Sequence, residues 1–467
     1  MRILIIEDEY PLADAISETL KKETIIEIII IIVLTAILGV VIYSIVNLKS
    51  NNNGNSQMEQ MGKSGEMGQM GQSSTSAETS RKTEVTETKT LTGEYETSTK
   101  DESAIKTSDG GNLTLENATI TKTGDSTNTE NSEFYGVNAG VLTTSNSTTT
   151  IKNSTITTNA KGANAVFATG ENTKVYVYDT TIKTTGESSS RGLDSTYGGY
   201  IEADNVTIST EGGSCATLAT DRGEGTVIAK NSVLSTKGAG SPVIYSTGDI
   251  SIENTKGTAT GAQMAVIEGK NIAKVTNSTL SCSGKGNRNN ADNCGIMIYQ
   301  SMSWDAGEGT GTFTSKNSTL EITSDSSYYT SAPFFFVTNT KAVINLEQNT
   351  LKYGSGVLLK VAATSQWGKT GSNGGKVTFN MTNQEAKGNI EVDNISTLEM
   401  NLKQGSKLET TINSANTAKS ITLNIDRTST LTLTGDCYVT SLTDEDTSYS
   451  NINFNGYKLY VNGTAVN

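Results

Sequence analysis

The stretch VYVYDTTI (residues 175–182) and the stretch IEADNVTI (residues 201–208), which follows it by 26 residues, determine how we expect this chain to fold. In both, apolar and polar residues alternate up to an Asp or Asn, and Ile stands three positions after that residue. Alternation places every second side chain on one face of a strand, and Asn or Asp tolerates the left-handed backbone of a sharp corner. Each stretch therefore predicts a strand, a corner and a second strand.

This motif recurs from residue 113 onward at spacings of 23 to 40 residues. Its copies begin at Asn117, Asn153, Asp179, Asn205, Asn231, Asn254, Asn277, Asn317 and Gln348. One coil cannot bury its apolar residues alone, but stacked coils share a continuous core. We expect about 11–13 coils, spaced about 4.8 Å apart, with longer steps marking loop insertions. Ile156, Ile182 and Ile208 should form one inward column.

The composition fits such a stack better than a compact enzyme of several domains. Of 467 residues, 45 are Gly and 3 are Pro, and only 34% are hydrophobic. Few prolines are expected because interior coils need every backbone N–H for their hydrogen bonds. The net charge of −13 disfavours nucleic-acid binding, which depends on Lys and Arg clusters. The chain has no His, which excludes Ser-His-Asp and Cys-His catalysis within it.

The N-terminal segment has a different character. An apolar run precedes Glu7 and Asp8, and an amphipathic stretch follows them. This segment, residues 1–24, resembles the first strand and helix of a response-regulator receiver domain. The resemblance implies that the acidic pair would help to hold Mg²⁺ beside a phospho-accepting Asp. Because the remainder of a receiver does not follow, we interpret the segment as a cytoplasmic receiver-like fragment without phosphorelay activity.

Residues 25–48 are predicted to form one transmembrane helix. Its part from residue 28 to residue 48 carries no charge and is long enough, at about 31 Å, to cross a bilayer. The run is too long for the apolar part of a signal peptide, and no good cleavage site follows. Three basic residues precede the span and one follows it. This bias places the N-terminus in the cytoplasm and the bulk of the chain outside the cell.

Residues 49–105 show almost no apolar periodicity and predict a disordered, low-complexity stalk. Four methionines lie there, and we considered soft-metal binding for them: Met58, Met61, Met67 and Met70. Gly follows three of the four, which disfavours a helical metal-binding stripe. Residues 106–467 then form the ectodomain, so the fold class is all-β, a right-handed parallel β-helix (solenoid) preceded by one transmembrane helix and the stalk.

The ectodomain resembles the right-handed β-helix proteins of bacterial surfaces, which are described as adhesin-like or pectin-lyase-like. The resemblance rests on the NSTI-type coils, on the ending at 433–463, and on RGLDSTYGGYIEADN (191–205), LATDRGEGTV (218–227), VIYSTGDI (243–250) and AVIEGKNI (265–272). It covers about 350 residues and implies the fold. It does not imply one activity, because lyases, glycosidases and non-catalytic adhesins share this fold.

Arg191, Asp194, Asp221 and Arg222 form the most suggestive polar cluster, with Glu224 close behind. Asp194 and Asp221 are 27 residues apart, so we expect them to stack on successive coils. Such a pair could be catalytic, as in glycosidases, or could bind Ca²⁺, or could be a structural corner. By resemblance, lyases of this fold combine Ca²⁺ with an Arg or Lys base and need no His.

Glu268 is a weaker candidate than this cluster. Aromatic residues in or near less regular segments are candidate carbohydrate-binding residues, because their faces stack on sugar rings. They are Tyr197, Tyr200, Tyr245, Tyr299, Trp304 and Trp367, with Tyr328 and Tyr329 as further members. The alternative is that several of them simply pack under loops. No metal site is predicted, because no CxxC pair exists.

The four cysteines allow two interpretations. Cys215, Cys282, Cys294 and Cys437 could all be free thiols within the stack. Alternatively, Cys282 and Cys294 could form a disulfide across the polar stretch between them, which an extracellular location would permit.

The sequence favours a membrane-anchored, extracellular adhesin-like protein that binds glycans or neighbouring cell surfaces. The anchor, the stalk, the acidic repeats and the lack of a clear catalytic constellation support this expectation. A cell-surface polysaccharide lyase or glycosidase is the alternative, supported by the fold resemblance and the Arg/Asp cluster.

Overall fold

The computed structural model describes residues 79–287, 290–303 and 305–467. The receiver-like fragment, the predicted membrane span at 25–48 and the four stalk methionines lie outside these residues. Within the described residues, no helix is both long enough and apolar enough to cross a membrane.

The described residues form short strands and a single helix, α1 (Thr129–Tyr135). The strands of the first half are β1 (Ser80–Val85), β2 (Thr88–Thr97), β3 (Glu102–Thr107), β4 (Asn112–Lys122), β5 (Val141–Thr144), β6 (Thr148–Lys152), β7 (Thr155–Thr158), β8 (Val166–Thr169), β9 (Lys174–Tyr178), β10 (Thr181–Thr184), β11 (Leu193–Thr196), β12 (Tyr200–Asp204), β13 (Thr207–Thr210), β14 (Leu218–Thr220), β15 (Thr226–Lys230), β16 (Val233–Thr236), β17 (Ile244–Ser246), β18 (Asp249–Glu253), β19 (Lys256–Ala259), β20 (Ala265–Glu268), β21 (Ile272–Thr276) and β22 (Thr279–Cys282).

The strands of the second half are β23 (Ile296–Tyr299), β24 (Thr310–Lys316), β25 (Thr319–Ile322), β26 (Phe335–Thr338), β27 (Lys341–Glu347), β28 (Thr350–Lys352), β29 (Val357–Val361), β30 (Lys376–Thr382), β31 (Glu385–Lys387), β32 (Asn389–Val392), β33 (Thr397–Lys403), β34 (Lys407–Thr410), β35 (Ser420–Ile425), β36 (Thr430–Leu433), β37 (Cys437–Val439), β38 (Ser441–Asp444), β39 (Ile452–Asn453), β40 (Leu459–Val461) and β41 (Thr464–Ala465).

Most of these strands stack in three parallel arrays, which we call faces A, B and C, whereas β37, β40 and β41 form a separate three-stranded sheet in which β40 and β41 are antiparallel. Face A runs β1-β3-β5-β8-β11-β14-β17-β20-β23-β26-β29-β32. Face B runs β2-β4-β6-β9-β12-β15-β18-β21-β24-β27-β30-β33-β35-β38. Face C runs β4-β7-β10-β13-β16-β19-β22-β25-β28 and continues as β31-β34-β36-β39. Successive strands such as β8, β9 and β10 belong to faces A, B and C in turn, which is the strand order of a parallel β-helix.

The stack begins earlier in the chain than the sequence indicated. β1 starts at Ser80 and pairs with β3, so the segment 80–105 belongs to the coils and the predicted stalk boundary at residue 105 is wrong. Most of β2 is exposed, because the first coil has a neighbour on one side only. A strand that buries so little needs few apolar residues, and its sequence therefore looks like a linker.

The predicted inward column is confirmed. Ile182 of β10 pairs in register with Ile156 of β7 and Ile208 of β13, and all three are fully buried. Leu234 continues the column in the next coil. The column forms because residues at equivalent positions of parallel, in-register strands face the same side of the sheet.

The corner between faces B and C also forms as predicted. Asn153, Asp179, Asn205 and Asn231 have positive φ angles of 48° to 55°, the left-handed region. The Asn205 side chain donates a hydrogen bond of 2.6 Å to the Asp179 carboxylate one coil away. Asn or Asp is therefore favoured at this corner for two reasons: these residues tolerate the left-handed backbone, and their side chains can hydrogen-bond to the corner residue of the neighbouring coil.

A second ladder, of hydroxyl groups, lies one residue after this corner. Ser232 Oγ accepts a hydrogen bond from the Val206 N–H at 3.2 Å and donates one to the Lys230 carbonyl at 2.5 Å. The Ser278 hydroxyl likewise accepts from the backbone of the coil before it. This arrangement satisfies buried N–H groups at the turn, which would otherwise be costly.

A ladder of asparagine amides runs up the outer side of face B. Asn380 donates to Asn345 at 2.8 Å, Asn401 donates to Asn380 at 2.9 Å, and Asn424 donates to Asn401 at 2.9 Å. These bonds tie successive coils together through side chains, in addition to the backbone pairing.

The outer side of face A is partly covered, unlike that of face B. The helix α1 begins after Asn128, whose side chain accepts a hydrogen bond from the Asn131 N–H, and ends at Gly136, whose φ is 68°. Thr196 Oγ1 of β11 donates to the Phe134 carbonyl at 2.9 Å, which fixes the helix over the strand. Outward side chains of β11 are consequently buried.

The four cysteines are free and buried, as in the first of the two interpretations, and the alternative disulfide between Cys282 and Cys294 is not formed. Cys282 lies in the core, whereas Cys294 packs in a small separate cluster with Trp367. The Cys282 thiol contacts the Gly295 carbonyl, and the Cys294 thiol contacts the Asp292 carbonyl at 3.4 Å.

Candidate functional site

The predicted Arg/Asp cluster exists on the covered outer side of face A. One guanidinium nitrogen of Arg191, Nη1, donates to Asp194 Oδ2 and to Asp221 Oδ2, each at 2.8 Å. The Arg191 side chain is 8% exposed, that of Asp194 is 0% exposed and that of Asp221 is 7% exposed. One buried cation therefore holds two buried carboxylates.

The way in which the two carboxylates meet differs from the prediction. Asp194 pairs with Ala219 in the next coil, not with Asp221. Asp221 lies two positions further along and reaches the same Arg191 nitrogen from there. The expectation that Asp194 and Asp221 stack directly is wrong, although the expectation that they converge is right.

Arg222 contacts Phe134 of the helix α1 and Asp305 on the outer side of face A. Its guanidinium lies 3.9 Å from the centre of the Phe134 ring of α1 and donates to Asp305 at 2.6 Å. Glu224 is further out and forms an exposed ion pair with Lys270. These contacts join three parts of the chain that are distant in sequence.

The cluster holds more acid than base, which shifts its proton equilibria. Burial raises the pKa of Asp194, and Arg191 only partly opposes this. Burial, opposed by Arg191 and reinforced by Glu133, Asp194 and Asp305, raises the pKa of Asp221 to about 8. One cation facing several carboxylates favours retention of a proton, so a carboxyl that stays protonated near neutral pH is expected here.

Glu268 forms a second buried group on face A, and Tyr245 links it to Arg191. Its Oε2 accepts hydrogen bonds from the Tyr245 hydroxyl at 3.1 Å and the Tyr299 hydroxyl at 2.9 Å. Burial raises its pKa, and these donors limit the rise. Glu268 is 1% exposed, so a polymer has no direct access to it.

Most of the predicted carbohydrate-binding aromatics make packing contacts. Tyr197 stacks on Tyr135 with ring centres 5.7 Å apart, and Tyr299 meets Trp367 edge to face at 5.1 Å. The Tyr245 ring lies 5.7 Å from the Arg191 guanidinium. Tyr328 and Tyr329 are partly buried against the core, and Trp304 lies outside the described residues.

Tyr200 is the exception among the predicted aromatics, because it lies on the open outer side of face B. Its ring centre is 6.1 Å from that of Tyr176 in the preceding coil. Tyr176 and Tyr178 lie on the same, outer side of β9, because the alternating residues Val175 and Val177 point into the core. The three side chains, Tyr176, Tyr178 and Tyr200, form what we call the tyrosine patch.

Sequence reasoning missed Tyr176 and Tyr178, although the signal was present. The alternation in VYVYDTTI assigns valines to the core and therefore assigns both tyrosines to the surface.

Charged neighbours hold the tyrosine patch in place. The Tyr200 hydroxyl donates to Glu202 Oε2 at 2.7 Å, and Lys230 donates to Glu202 Oε1 at 2.6 Å. The hydrogen bond from Lys230, and then that from Tyr200, lowers the pKa of Glu202. Burial, together with the bond to Glu202, raises the pKa of Tyr200. The Tyr200 phenol therefore stays neutral at neutral pH, beside a Glu202 carboxylate that is paired with Lys230.

Metal binding gains no geometric support in the described part of the chain. There, no group of three or more Cys, Asp or Glu side chains is arranged to hold a metal ion. The Ca²⁺ interpretation of Asp194 and Asp221 would require a cation where the Arg191 guanidinium already lies.

No protein-family model matches the chain, and no curated protein matches it. The function must therefore be argued from the geometry described above.

Proposed function

We propose that this chain is an adhesin-like surface protein that binds glycans through the outer side of face B. The observation that carries the proposal is the tyrosine patch: Tyr176, Tyr178 and Tyr200 lie partly exposed on the outer side of face B. Aromatic faces stack on the apolar faces of sugar rings, and the adjacent Glu202 and Lys230 offer hydrogen bonds to hydroxyl groups.

Burial of the Arg/Asp cluster favours binding over catalysis. A general acid or base must come within hydrogen-bond reach of its substrate. Asp194 is fully buried, and Arg191 and Asp221 are nearly so. The burial of these three side chains leaves a polysaccharide chain little access to them.

A cell-surface polysaccharide lyase or glycosidase is the second candidate, because one specific observation favours it. The pKa of Asp221 is raised to about 8, and perturbed carboxyls of this kind are common at active sites. If this function holds, the full chain releases fragments from a polysaccharide, and Asp221→Asn abolishes the release without loss of folded structure.

The proposed function includes a membrane topology for the chain. Residues 25–48 would anchor it in the membrane, with residues 50–467 outside the cell, and the coils would wind right-handed, as parallel crossover connections almost always do. Protease treatment of intact cells should then release the described coils. Release only after lysis would contradict this placement.

The binding proposal is tested with the purified full chain in detergent on a glycan array. Replacement of Tyr176, Tyr178 and Tyr200 by Ala should remove the strongest signals, because about 1 kcal/mol or more is lost with each stacked ring. Replacement of Tyr438 and Tyr460 by Ala removes another stacked pair, with rings 4.8 Å apart, and serves as the matched control. Equal glycan binding by the two variants would contradict the proposal.

A further inference from the structure

On the strands that the structure describes, charged residues that face each other on neighbouring strands carry opposite signs almost throughout. Nine such pairs share the same register position: Glu84/Lys106, Glu116/Lys152, Asp204/Lys230, Lys230/Glu253, Lys316/Glu347, Glu321/Lys352, Lys360/Glu391, Glu385/Lys407 and Lys387/Glu409. Opposite charges in register stabilise a sheet, and like charges destabilise it.

Among the described strands, one registered pair breaks this rule. Lys341 of β27 lies directly opposite Lys376 of β30 on the outer side of face B. Both side chains are exposed, and neither forms an ion pair within the described residues. The protein thus places two like charges one coil apart, about 4.8 Å, in a chain whose net charge is −13.

The lysine pair lies in a shallow depression. This depression has a volume of about 430 Å³. In the same column, Thr310 precedes Lys341, and Thr397 and Ser420 follow Lys376. These residues line it together with the two lysines, so it combines two ammonium groups with several hydroxyl groups.

Only one acidic residue lines this depression. Glu399 stands two residues after Thr397, and its carboxylate accepts a hydrogen bond from Asn401 at 3.4 Å. One carboxylate against two ammonium groups leaves the depression with a positive charge.

We infer that the Lys341–Lys376 depression binds the phosphate or sulfate groups of a polyanionic glycopolymer. A tetrahedral oxyanion between two ammonium groups would remove the repulsion that the unliganded pair suffers. Lysine binds such anions as a point charge. A phosphate or sulfate group carries more acceptor oxygens than a carboxylate, so it can meet both ammonium groups and a hydroxyl group of the lining together.

This inference rests on the proposed glycan-binding function and names the class of glycan. Both sites lie on the outer side of face B, and five steps of strand pairing separate Tyr200 from Val343 beside Lys341. At about 4.8 Å a step, the two sites are about 24 Å apart along the stack. A linear polymer along face B could place sugar rings on the tyrosine patch and an anionic group between the lysines.

The test measures binding of the full chain to four immobilised polymers: dextran sulfate, a glycerol-phosphate polymer, polygalacturonate and uncharged dextran. The K341Q/K376Q variant removes both charges and keeps much of the side-chain length. The K387Q/K407Q variant makes the same change in net charge at lysines that are paired with Glu409 and Glu385. We expect the first variant to lose at least about tenfold in affinity for one of the two tetrahedral polyanions, about 1.4 kcal/mol, and the second to lose much less.

Salt gives a second readout. Affinity for the preferred polyanion should fall as salt is added, and this dependence should be weaker in K341Q/K376Q, because fewer counterions are released. The two arms distinguish a sulfated from a phosphodiester polymer. Equal affinity of K341Q/K376Q and the wild type for both polyanions overturns the inference, as does preferential binding of polygalacturonate.

The tyrosine variant separates the two proposals. If it loses glycan affinity while K341Q/K376Q retains it, the anion site fails and the proposed function stands. If K341Q/K376Q loses polyanion affinity while the tyrosine variant retains it, the anion site stands without the tyrosine patch. No binding of any of these polymers by the wild type overturns both.

Discussion

Replacing Arg191 by Met should destabilise the protein strongly at neutral pH and much less in acid. Arg191 donates to Asp194 and Asp221 at 2.8 Å each, and the three side chains are at most 8% exposed. Removal of one partner from a buried ion pair leaves an uncompensated buried charge and costs about 3–5 kcal/mol. In acid both carboxyls are protonated, so the cost should fall to that of lost hydrogen bonds, about 1–3 kcal/mol.

The assay is thermal unfolding followed by far-UV circular dichroism over a range of pH. Lys316→Met is the matched control, because Lys316 pairs with Glu347 at 2.7 Å but both side chains are well exposed. That surface pair should contribute only about 0.2–1 kcal/mol at any pH. Equal destabilisation by the two variants, or an Arg191→Met deficit that grows on acidification, would refute the argument that burial of the charge determines the cost.

Three further predictions concern the coils and the buried acid. Ile182→Asp places a charge in the inward column and should cost about 4 kcal/mol or more, whereas Thr181→Asp on the exposed side of the same strand should stay within about 0.5 kcal/mol; equal melting temperatures would mean that the faces are misassigned. In the hydroxyl ladder after the corner, Val206 has no hydroxyl group that could accept a hydrogen bond from the Thr180 N–H of the preceding coil. Val206→Thr supplies this hydroxyl group and should stabilise the protein by about 0.5–1.5 kcal/mol, whereas Val206→Ala should destabilise it. An unchanged or lowered melting temperature of the Val206→Thr variant would count against the ladder. The pKa of Asp221 in the folded protein is raised from the usual 3.8 to about 8, so the contribution of this group to stability is complete below pH 3.8 and is lost as the pH rises through about 8. Asp221→Asn should flatten that loss in a pH series of melting curves, and an unchanged slope would disprove it.

The repeat was predictable because its determinants are local. The positive φ angle at Asn205 and the inward position of Ile208 follow from a few adjacent residues, and parallel strands copy them from coil to coil. A Ser or Thr follows most corner residues, so the sequence contains a signal for the hydroxyl ladder. The sequence alone shows the residue types there, but it does not show which backbone N–H groups the turn leaves without a partner.

The pairing register of the strands on face A could not be predicted by adding one constant repeat length to the residue number. Between neighbouring coils, Ile182 on face C pairs with a residue 26 positions later, but Leu193 on face A pairs with Leu218, only 25 positions later. The corner between faces B and C has the same length from β6 and β7 to β30 and β31, whereas the turns on either side of face A vary in length from coil to coil. A whole-coil offset applied to Asp194 therefore pointed to the wrong residue.

The covered side of face A was also beyond sequence reasoning. Arg222 meets Asp305 across 83 positions of the chain, and such a contact leaves no periodic signal. The tyrosine patch and the lysine pair are different, because both follow from the alternation once the inward residues of β9, β27 and β30 are assigned.

The four buried thiols give this protein internal reporters of where the stack opens. Cys215, Cys282 and Cys437 lie at well-separated levels of the stack, and burial raises the pKa of each thiol, which keeps it in the unreactive protonated form. A thiol reagent can modify each one only while its own coil is transiently separated from its neighbours. Comparison of their labelling rates by mass spectrometry would show whether the stack frays from one end or melts as a unit, without any engineered probe.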